Sequence, residues 1–512
     1  MAPTPLRNTV LFLILFFVTS LKSSELPIIY SNKISVDSLK ESVYILASDS
    51  LEGRETGRPG QKKAAYFLAS KYISWNLKPA GDDAAPSKVD TVQRALYAKH
   101  FFQKHPISIR NNKGRNLTMG SETFLYGKDF YYSDNTFDTS LVFNRFIFIG
   151  LNKHQNLGSI YKAKKYSKKT LVLFEAFQDS MNFLLDKFEL NTSETQVPFL
   201  VFIITTEKII GEYFSKNRKS STHPEYTQIL ITENVAKTIF PNDDFKKIAD
   251  EIKKNDKTII KKAKRIASIE LIRNTDQLCG QNILAFIPGS DLSNETVVIS
   301  SHYDHLGKTD SLIYYGADDN ASGTAAVLEL ARVFTEAKNA GHPPRRNLLF
   351  LNVSGEEKRL LGSAWYVANP AFPLEKTVAD LNIDMIGRID APHDSTGIKN
   401  YVYIIGSDKM STELHTINEA QNLKGPNLEL NYKFNSDSDP NRYYMRSDHY
   451  NFVKNNIPVI FYFNGTHADY HKPTDTPDKI DFEVLANRAR LVFLTTWEIA
   501  NRNDRILIDK KN

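Results

Sequence analysis

The stretch that decides the fold is VVISSHYDHLGKTDSLIYYGADDNASG, residues 297–323. It opens with an apolar run, Val297–Ile299, of the kind that forms a buried strand, and an apolar-periodic helix follows from Ala325 to Phe334. His302 stands where the predicted strand ends, and an Asp pair lies in the Gly-flanked loop before the helix. Ligands collect at the carboxyl ends of strands in open α/β sheets. The stretch therefore predicts a strand, a cation-holding loop and a helix. Taken alone, it also fits a hydrogen-bonded His beside an acidic turn.

The same order, a strand followed by polar residues, recurs towards the C-terminus. Runs typical of buried strands lie at residues 346–353, 379–387, 401–405 and 458–463, and a last helical pattern covers residues 482–500. Strands that alternate with helices predict an α/β fold, a three-layer sandwich with a mostly parallel, mixed central sheet.

The composition changes between residues 82 and 268. This part is rich in Lys, Tyr, Phe and Asn, and has short β-like runs at residues 141–143, 146–149, 170–174 and 199–204. It is predicted to be an inserted, smaller β-containing domain, which leaves residues 25–81 and 269–512 for the main domain. The Lys-rich stretch Phe245–Arg265 is interpreted as a solvated helix face or linker, with contact to an anionic surface as the alternative.

The N-terminus is predicted to be a secretory signal peptide, residues 1–24. Arg7 precedes a short apolar run, residues 9–18, and small or polar residues follow up to Ser24. The run is short for a membrane span, and an uncleaved anchor is the alternative. No other long apolar run exists, so the mature chain is expected to be periplasmic or extracellular, with no stable membrane span.

Length and composition set wider bounds. The 512 residues exceed one ordinary domain, so two or three units are expected. The formal net charge of +6 is modest for this length. No Arg-rich helix or basic patch with interleaved aromatics is present, so nucleic acid is not an expected partner. Cys279 is the only cysteine, so an exported fold must rest on packing or metal rather than on an intramolecular disulfide.

Five side chains near predicted strand ends have the donor atoms of a metal site. They are His302, Asp319, Glu357, Asp384 and His471. Imidazole and carboxylate donors suit Zn²⁺. Five protein ligands exceed what one catalytic zinc ion needs, and they suit two ions bridged by one carboxylate and one water. The residues alone leave open whether Asp318 or Asp319 supplies the bridging carboxylate.

Glu356, beside Glu357, has the chemistry of a general base. Adjacent residues that leave a strand point in different directions, so one Glu can bind metal while its neighbour takes a proton from water. The signatures HExxH, GxSxG, GxxxxGK[ST] and CxxC are all missing from the sequence. Other common hydrolase and zinc-site types are therefore not indicated.

The motifs HxD, GADDNASG, GEE, NIDMIG, SDH and DYHxPxD, in this order, resemble the co-catalytic dizinc metallopeptidases of clan MH. That family includes secreted bacterial leucyl aminopeptidase and glutamate carboxypeptidase, and glutaminyl cyclase is a relative. The resemblance is strong over Gln281–Asp481 and weak over Val36–Gly81. The stretch LASDSLEGRETGRPG also resembles bacterial members with an inserted domain, here of the protease-associated type.

The resemblance implies an exported zinc exopeptidase, with an aminopeptidase acting on peptides as the first hypothesis. It implies that Asp319 bridges two zinc ions, that His302 and Asp384 bind one of them, and that His471 and Glu357 bind the other. Glu356 would be the general base, and Asp304 would lie behind His302. Tyr444, next to Tyr443, would polarise the scissile carbonyl.

Three alternatives remain open at this point. A carboxypeptidase would need a cationic pocket, for which Arg388, Arg442 and Arg446 are the candidates. A glutaminyl cyclase and a non-catalytic binding protein are the other two. The sequence makes no prediction of oligomeric state or side-chain specificity.

Several polar residues near the motifs are predicted to have supporting roles. His467, His449 and Asp448 are interpreted as braces rather than ligands, and His305 is left out because it is expected to point to a different face. The loop Leu51–Gly60, with three Gly and one Pro, is assigned a structural role in preference to lining a cleft.

Overall fold

The computed structural model describes residues 25–83, 94–110, 115–132, 139–151, 170–175, 200–205, 210, 227–271, 275–309 and 311–510. The predicted signal peptide, residues 1–24, lies outside the described residues. The chain divides into two compact units, one from the described parts of Met1–Ile107 and Gln277–Asn512, and the other from those of Ser108–Asp276. The domain limits expected from composition, 82 and 268, stay a prediction.

The first unit is built on a nine-stranded mixed sheet. Its strands are β1 (Lys78–Pro79), β2 (Phe102–Arg110), β3 (Thr275–Ile287), β4 (Leu292–His302), β5 (Arg346–Val353), β6 (Thr377–Ile383), β7 (Tyr401–Ile405), β8 (Glu429–Asn431) and β9 (Val459–Phe463). The order across the sheet is β1–β3–β5–β4–β6–β9–β7–β8, and β2 also pairs with β3. The central neighbours β5, β4, β6 and β9 run parallel, whereas β3 and β7 flank them in antiparallel pairs.

Helices cover both faces of this sheet. They are α1 (Val36–Leu46), α2 (Pro59–Ser74), α3 (Arg94–Tyr97), α4 (Gly323–Asn339), α5 (Leu361–Ala368), α6 (Ala391–Thr396), α7 (Thr412–Lys424), α8 (His449–Val453) and α9 (Phe482–Asn501). Successive strand residues point to opposite faces, so Val297 packs in one core with α1, α2, α4 and α9. Its neighbour Val298 packs in the other core with Tyr366 of α5 and Phe452 of α8. The predicted α/β sandwich is confirmed.

Local signals fix where these helices begin. The side chain of Asp481 accepts a hydrogen bond from the backbone N–H of Val484 at the start of α9, as an N-cap residue does. Helix α4 starts differently, at Gly323, directly against the end of β6. A Cβ atom at this position would lie 2.5 Å from the carbonyl oxygen of Ile383. Glycine therefore lets the first turn of α4 approach the sheet edge closely.

The second unit contains an eight-stranded sheet with its own core. In sheet order the strands are Glu122–Leu125, Asn116–Met119, Ile259–Leu271, Thr139–Leu151, Thr170–Glu175, Leu200–Thr205, Thr227–Thr232 and Phe130–Tyr132. Helices Glu233–Ile239 and Phe245–Asn255 supply further apolar side chains to this core, including Phe245 and Ile252. All four β-like runs noted in the sequence fall on these strands.

The Lys-rich stretch at the end of the second unit differs in part from its interpretation. Phe245–Asn255 is a helix with Lys246 and Lys247 exposed, as expected. Ile259–Leu271, however, is an inner strand paired on both sides, not a helix face or linker. Its alternation of Lys with small or apolar residues fits a strand with one exposed face, and the density of Lys concealed that period.

None of the described helices is long and apolar enough to cross a membrane.

Candidate metal centre

Four parallel strands carry the candidate site. Because β4, β5, β6 and β9 lie side by side and run in the same direction, their carboxyl ends share one edge of the sheet. The predicted donors lie at or just after these ends or in the turn before α4: His302 ends β4, Glu356 and Glu357 follow β5, Asp384 follows β6, His471 follows β9, and Asp319 lies in the turn Ala317–Ser322. All of them come together at one place.

The first group of donors surrounds the imidazole of His302. Its Nε2 atom lies 3.1 Å from Oδ1 of Asp384 and 3.4 Å from Oδ1 of Asp319. Its Nδ1 atom lies 3.2 Å from the carbonyl oxygen of Asp304, which can accept a hydrogen bond but cannot donate one. Nδ1 therefore carries a hydrogen that points to this carbonyl, and Nε2 faces the two carboxylates.

The second group surrounds His471. Its Nε2 atom lies 3.1 Å from Oδ2 of Asp319 and 3.3 Å from Oε2 of Glu357. Asp319 thus turns one oxygen to His302 and the other to His471, as a bridging carboxylate would. His302 is buried, whereas 36% of the His471 side chain is exposed. The second position is the one nearer to solvent.

Asp318 is turned away from both imidazoles. Its oxygens accept hydrogen bonds from the backbone N–H of Gly387 at 2.7 Å and from the side chain of Asn464 at 3.0 Å. The Nε2 atom of His467 lies 3.1 Å from the same carboxylate. This arrangement supports Asp319 as the bridge and gives Asp318 and His467 a bracing role.

Glu356 is held by Asp304. The backbone N–H of Glu356 donates to Oδ1 of Asp304 at 3.3 Å, and the hydroxyl of Thr56 donates to Oδ2 at 2.7 Å. Burial raises the pKa of Glu356 well above its ordinary value, and the charges of Glu357 and Asp384 add to this effect against the opposing influence of His302. Asp304 does lie behind His302, but its carboxylate is 3.8 Å from Nδ1, and the backbone carbonyl accepts the hydrogen bond instead.

A small cavity opens beside the donors. It is lined by Asp319, Glu356, Asp384, Met385, Tyr443, Arg446, Phe461, Phe463, Thr466 and Tyr470. Tyr444, expected from the sequence to contact substrate, is not among these residues and packs instead against His449 and Tyr450. The residues Tyr443–Met445 form a single 3-10 turn, so the side chains of neighbouring residues diverge. Tyr443 and Tyr470 are the tyrosines at the cavity.

His305 lies within the second group, contrary to the expectation that it points elsewhere. Its Nδ1 atom is 2.9 Å from Oε1 of Glu357 and 3.8 Å from Oδ2 of Asp319. Strand β4 ends at His302, so the alternation of side chains along a strand no longer applies three residues later.

Three buried groups that sequence reasoning did not single out support the site. Arg54 donates to the carbonyl oxygens of Tyr303 and Gly316 at 2.7 Å and 2.9 Å. Thr56 binds Asp304, as described above. Oδ2 of Asp475 accepts the backbone N–H groups of Asp318 and Asp319, at 3.0 Å and 3.2 Å. Arg54 and Thr56 both lie in the Gly-rich loop Leu51–Gly60, which was the feature of the sequence that could have pointed to them. In the structure this loop supports the site, in agreement with the structural role favoured from the sequence.

His449 and Asp448 make supporting hydrogen bonds near the site. Nε2 of His449 donates to the carbonyl of Tyr444 at 2.9 Å, and burial lowers the pKa of His449 to about 3, which keeps it neutral. Asp448 accepts a hydrogen bond from the hydroxyl of Ser363 at 2.5 Å. Neither side chain lines the cavity.

The chemistry of the donor set fits zinc. Burial opposes a charge on His302, yet Asp384 and Glu356 outweigh it and raise the pKa of His302 well above its ordinary value. The cluster thus favours positive charge at its centre. The N···O separations of 3.1–3.4 Å are close to the ~3.4 Å between two ligands of a tetrahedral zinc ion with bonds of ~2.1 Å. Within the described part of the chain, Oε1 of Glu357 is buried and has no hydrogen-bond partner.

The fold is a mixed α/β sandwich, and imidazoles and carboxylates meet at the ends of its parallel strands. These two features are typical of an α/β protein with a zinc site. Residues 282–496 match the sequence model of Peptidase family M28. This part of the chain therefore matches an M28 peptidase domain, and the resemblance to the co-catalytic zinc metallopeptidases of clan MH is confirmed.

Individual relatives agree with this assignment. A Trichophyton verrucosum protein named “Probable leucine aminopeptidase” is 30% identical over 242 residues, or 46% of this chain and 61% of that protein. A Pyrenophora teres f. teres protein named “Probable zinc metalloprotease” is 26% identical over 259 residues, or 43% of this chain and 51% of that protein. The chain spans about half to three-fifths of the length of these relatives. The crystal structure of a zinc aminopeptidase from Bacillus subtilis has a TM-score of 0.52 at 17% identity and covers 93% of this chain and 99% of its own. This likeness shows a shared fold.

Proposed function

We propose that the chain is an exported zinc-dependent aminopeptidase that hydrolyses N-terminal residues from peptides. The observation that carries the proposal is the position of Asp319, whose two oxygens face His302 and His471 beside the cavity that Glu356 lines. The M28 domain and the names of the relatives support the same activity.

The donors divide into two sets that share Asp319. Two zinc ions, one held by His302 and Asp384 and the other by His471 and Glu357, would lower the pKa of water and polarise a peptide carbonyl. The chain keeps these donors in place through hydrogen bonds behind them. The hydroxyl of Ser447 donates to Oδ2 of Asp384 at 2.7 Å and leaves Oδ1 turned towards His302.

Glu356 is the proposed general base. In this role it takes a proton from the attacking water and passes it to the leaving amine. A carboxylate with a raised pKa is suited to this role, because it takes up a proton from water more readily than an ordinary Glu does. Asp304 fixes the backbone at Glu356, so the base has one direction of approach to the cavity.

The lining of the cavity favours an apolar side chain in the substrate. Met385, Phe461 and Phe463 form its apolar part. Burying an apolar side chain against such residues stabilises the complex, whereas an acidic side chain would face Asp319, Glu356 and Asp384 and could pair only with Arg446. We therefore expect leucyl or similar substrates to be preferred over acidic ones.

A carboxypeptidase is the second candidate, because Arg446 lines the cavity with its guanidinium over the ring of Tyr443. Arg388, by contrast, pairs with Asp469 at 3.0 Å, and Arg442 is exposed and does not line the cavity. A single cation is a weak basis for binding a terminal carboxylate, so the aminopeptidase remains the first proposal.

Export is part of the proposal and rests on the apolar segment at residues 9–18 with its basic start. The test is to express the full chain and sequence the N-terminus of the product outside the cytoplasm. A product that begins near residue 25 supports export, and a chain retained at full length inside the cell argues against it.

The activity is tested by zinc analysis of the purified protein together with hydrolysis of leucyl-anilide. We expect two zinc ions per chain, and activity that chelation removes and added zinc restores. Glu356→Gln should keep both ions and lose roughly 10²–10⁴-fold in kcat, since the general base is gone while the ligands remain.

Other outcomes separate the alternatives. Two zinc ions with turnover of N-blocked peptides but not of anilides would indicate the carboxypeptidase. Turnover of N-terminal Gln substrates alone would indicate a cyclase. Zinc without any turnover would indicate a binding protein, and a protein that binds no stoichiometric metal would contradict the whole assignment.

A further inference from the structure

We propose that His305 is an additional ligand of the second metal position, where it joins His471, Glu357 and Asp319. This inference rests on the proposed zinc centre and changes its coordination. One position would have three protein ligands, namely His302, Asp384 and the bridging Asp319, and the other would have four.

The first argument is burial. No part of the His305 side chain is exposed, although the residue lies in the loop after β4. Its ring packs against Gly316, where a Cβ atom would lie 2.5 Å from both Cγ and Cδ2 of the imidazole. The backbone N–H of His305 donates to the carbonyl of Arg54 at 3.3 Å. The ring therefore has one orientation, fixed from behind.

The second argument is the lack of an ordinary partner. Nδ1 of His305 lies 2.9 Å from Oε1 of Glu357, yet the two atoms do not meet the geometry of a hydrogen bond. Among the described residues, neither ring nitrogen of His305 nor Oε1 of Glu357 has a hydrogen-bond partner. Buried polar atoms are rarely left in this state, because their desolvation is not compensated. A cation close to both atoms would compensate it.

The third argument is distance. One donor atom each from His305, Asp319 and Glu357 lies within 4.8 Å of the other two. The separations of 2.9 Å and 3.8 Å from Nδ1 lie on either side of the ~3.4 Å expected between ligands of one zinc ion. His471 approaches the same two carboxylates from another side, and the two imidazole rings are 5.8 Å apart. His305, Asp319 and Glu357 thus form one group of close donors, and His471 faces the two carboxylates of that group.

The rival explanation is that His305 only orients Glu357. The two roles need different properties of the ring. A ligand needs an unprotonated nitrogen aimed at the metal, whereas an orienting group needs only an N–H aimed at the carboxylate. A side-chain amide can supply the second property and is a poor zinc ligand.

X-ray absorption spectroscopy of the zinc-loaded wild-type protein tests the proposal directly, because it counts imidazoles bound to zinc. We expect three imidazoles shared by two ions, from His302, His305 and His471. The orienting role predicts two. The measurement needs no variant, so a folding defect cannot obscure it.

A matched pair of variants extends the test. His305→Gln should lower the imidazole count from three to two and weaken one of the two zinc sites by more than 10-fold, as measured by titration against a competing chelator. His467→Asn removes a nearby imidazole that contacts Asp318 and no proposed ligand, and it should leave the count at three. Far-UV circular dichroism would verify that both variants are folded.

The outcomes distinguish this inference from the proposed function. Two zinc ions, two imidazoles and an unchanged zinc affinity in His305→Gln would overturn the inference and leave the aminopeptidase proposal intact. A wild-type protein that binds no zinc would overturn both. Three imidazoles with no peptidase turnover would support the ligand and contradict the activity.

Discussion

At the scale of the residue, the site depends on hydrogen bonds that hold each acid from behind. Asp304 is the clearest case, because its two oxygens serve different partners, the hydroxyl of Thr56 and the backbone of Glu356. Burial raises the pKa of Asp304, and the hydrogen bond from Thr56 opposes that shift and favours the ionised form. One hydroxyl in the N-terminal loop therefore supports the proposed general base.

Thr56→Val tests this support. The variant keeps the shape of the side chain but leaves one oxygen of a buried carboxylate without its donor, which should lower the free energy of unfolding by about 1–3 kcal/mol. We also expect a lower kcat, because the backbone at Glu356 would be less firmly held. Urea unfolding and leucyl-anilide kinetics measure the two effects. Thr56→Ser restores the donor and should resemble the wild type; equal values for both variants would contradict the prediction.

Sequence reasoning reached most of this site but not all of it. The donors His302, Asp384 and Glu357 could be predicted to meet because parallel strand ends converge, and the structure brings them together; their role as ligands stays a prediction. The sequence could not distinguish Tyr444 from Tyr443, because both lie in one 3-10 turn and only the structure shows which of them lines the cavity. His305 lies beyond the end of β4, where strand alternation gives no guide.

At the scale of the element, the loop from Asp49 to Gly60 lies between α1 and α2 and contacts the loop that follows β4, residues 303–316. Arg54 is buried and donates to the carbonyl oxygens of Leu46, Tyr303, Tyr315 and Gly316. Burial lowers the pKa of Arg54 to about 10, and the nearby charges of Asp304 and Asp319 counteract the shift, so the guanidinium stays charged at neutral pH. This one side chain therefore links the end of α1 to both ends of the loop formed by residues 303–316.

Arg54→Met should lower the free energy of unfolding by roughly 3–5 kcal/mol, because it removes a buried cation from an acidic site and leaves carbonyl groups without donors. Arg54→Lys keeps the charge but loses the planar fork of donors, so an intermediate loss is expected. Urea unfolding followed by circular dichroism gives both values. A change below ~0.5 kcal/mol for Arg54→Met, as is usual for surface substitutions, would contradict the anchoring role.

Helices and strands could be predicted from the sequence where apolar residues recur at a regular spacing. The last helix was expected at residues 482–500 and runs over Phe482–Asn501. Helix α4 runs over Gly323–Asn339 and is longer than its apolar pattern, because residues on several of its faces are buried. The inner strand Ile259–Leu271 could not be recognised, since basic and apolar residues are mixed on its exposed side and hide the period of two.

At the scale of the whole molecule, each of the two units has its own core. The core of the first unit includes Val297 and Phe350 of the sheet, and that of the second includes Phe148 and Ile229. The predicted domain limits were difficult to derive because β2 (Phe102–Arg110) and β3 (Thr275–Ile287) each continue across a limit between units. No Pro-, Gly- or Ser-rich linker marks either place.

Zinc removal should affect the two cores unequally. All of the proposed ligands lie in the first unit, so calorimetry should resolve two transitions, of which only one moves to lower temperature after chelation. Each bound ion at 100 times its Kd adds ~2.7 kcal/mol to the stability of the unit that binds it. Added zinc should reverse the shift. Equal movement of both transitions, or of neither, would contradict a metal centre confined to the first unit.

The residues that make up and support the site extend from Arg54 to Asp475, across most of the sequence. Asp319 and Glu356 are synthesised well before His471 and Asp475, which follow the last strand of the sheet. A nascent chain on the ribosome therefore has no complete set of zinc ligands until its final strand and the loop after it have emerged. Incomplete translation products that stop before this point would be inert, so proteolytic activity would arise only in chains able to finish folding.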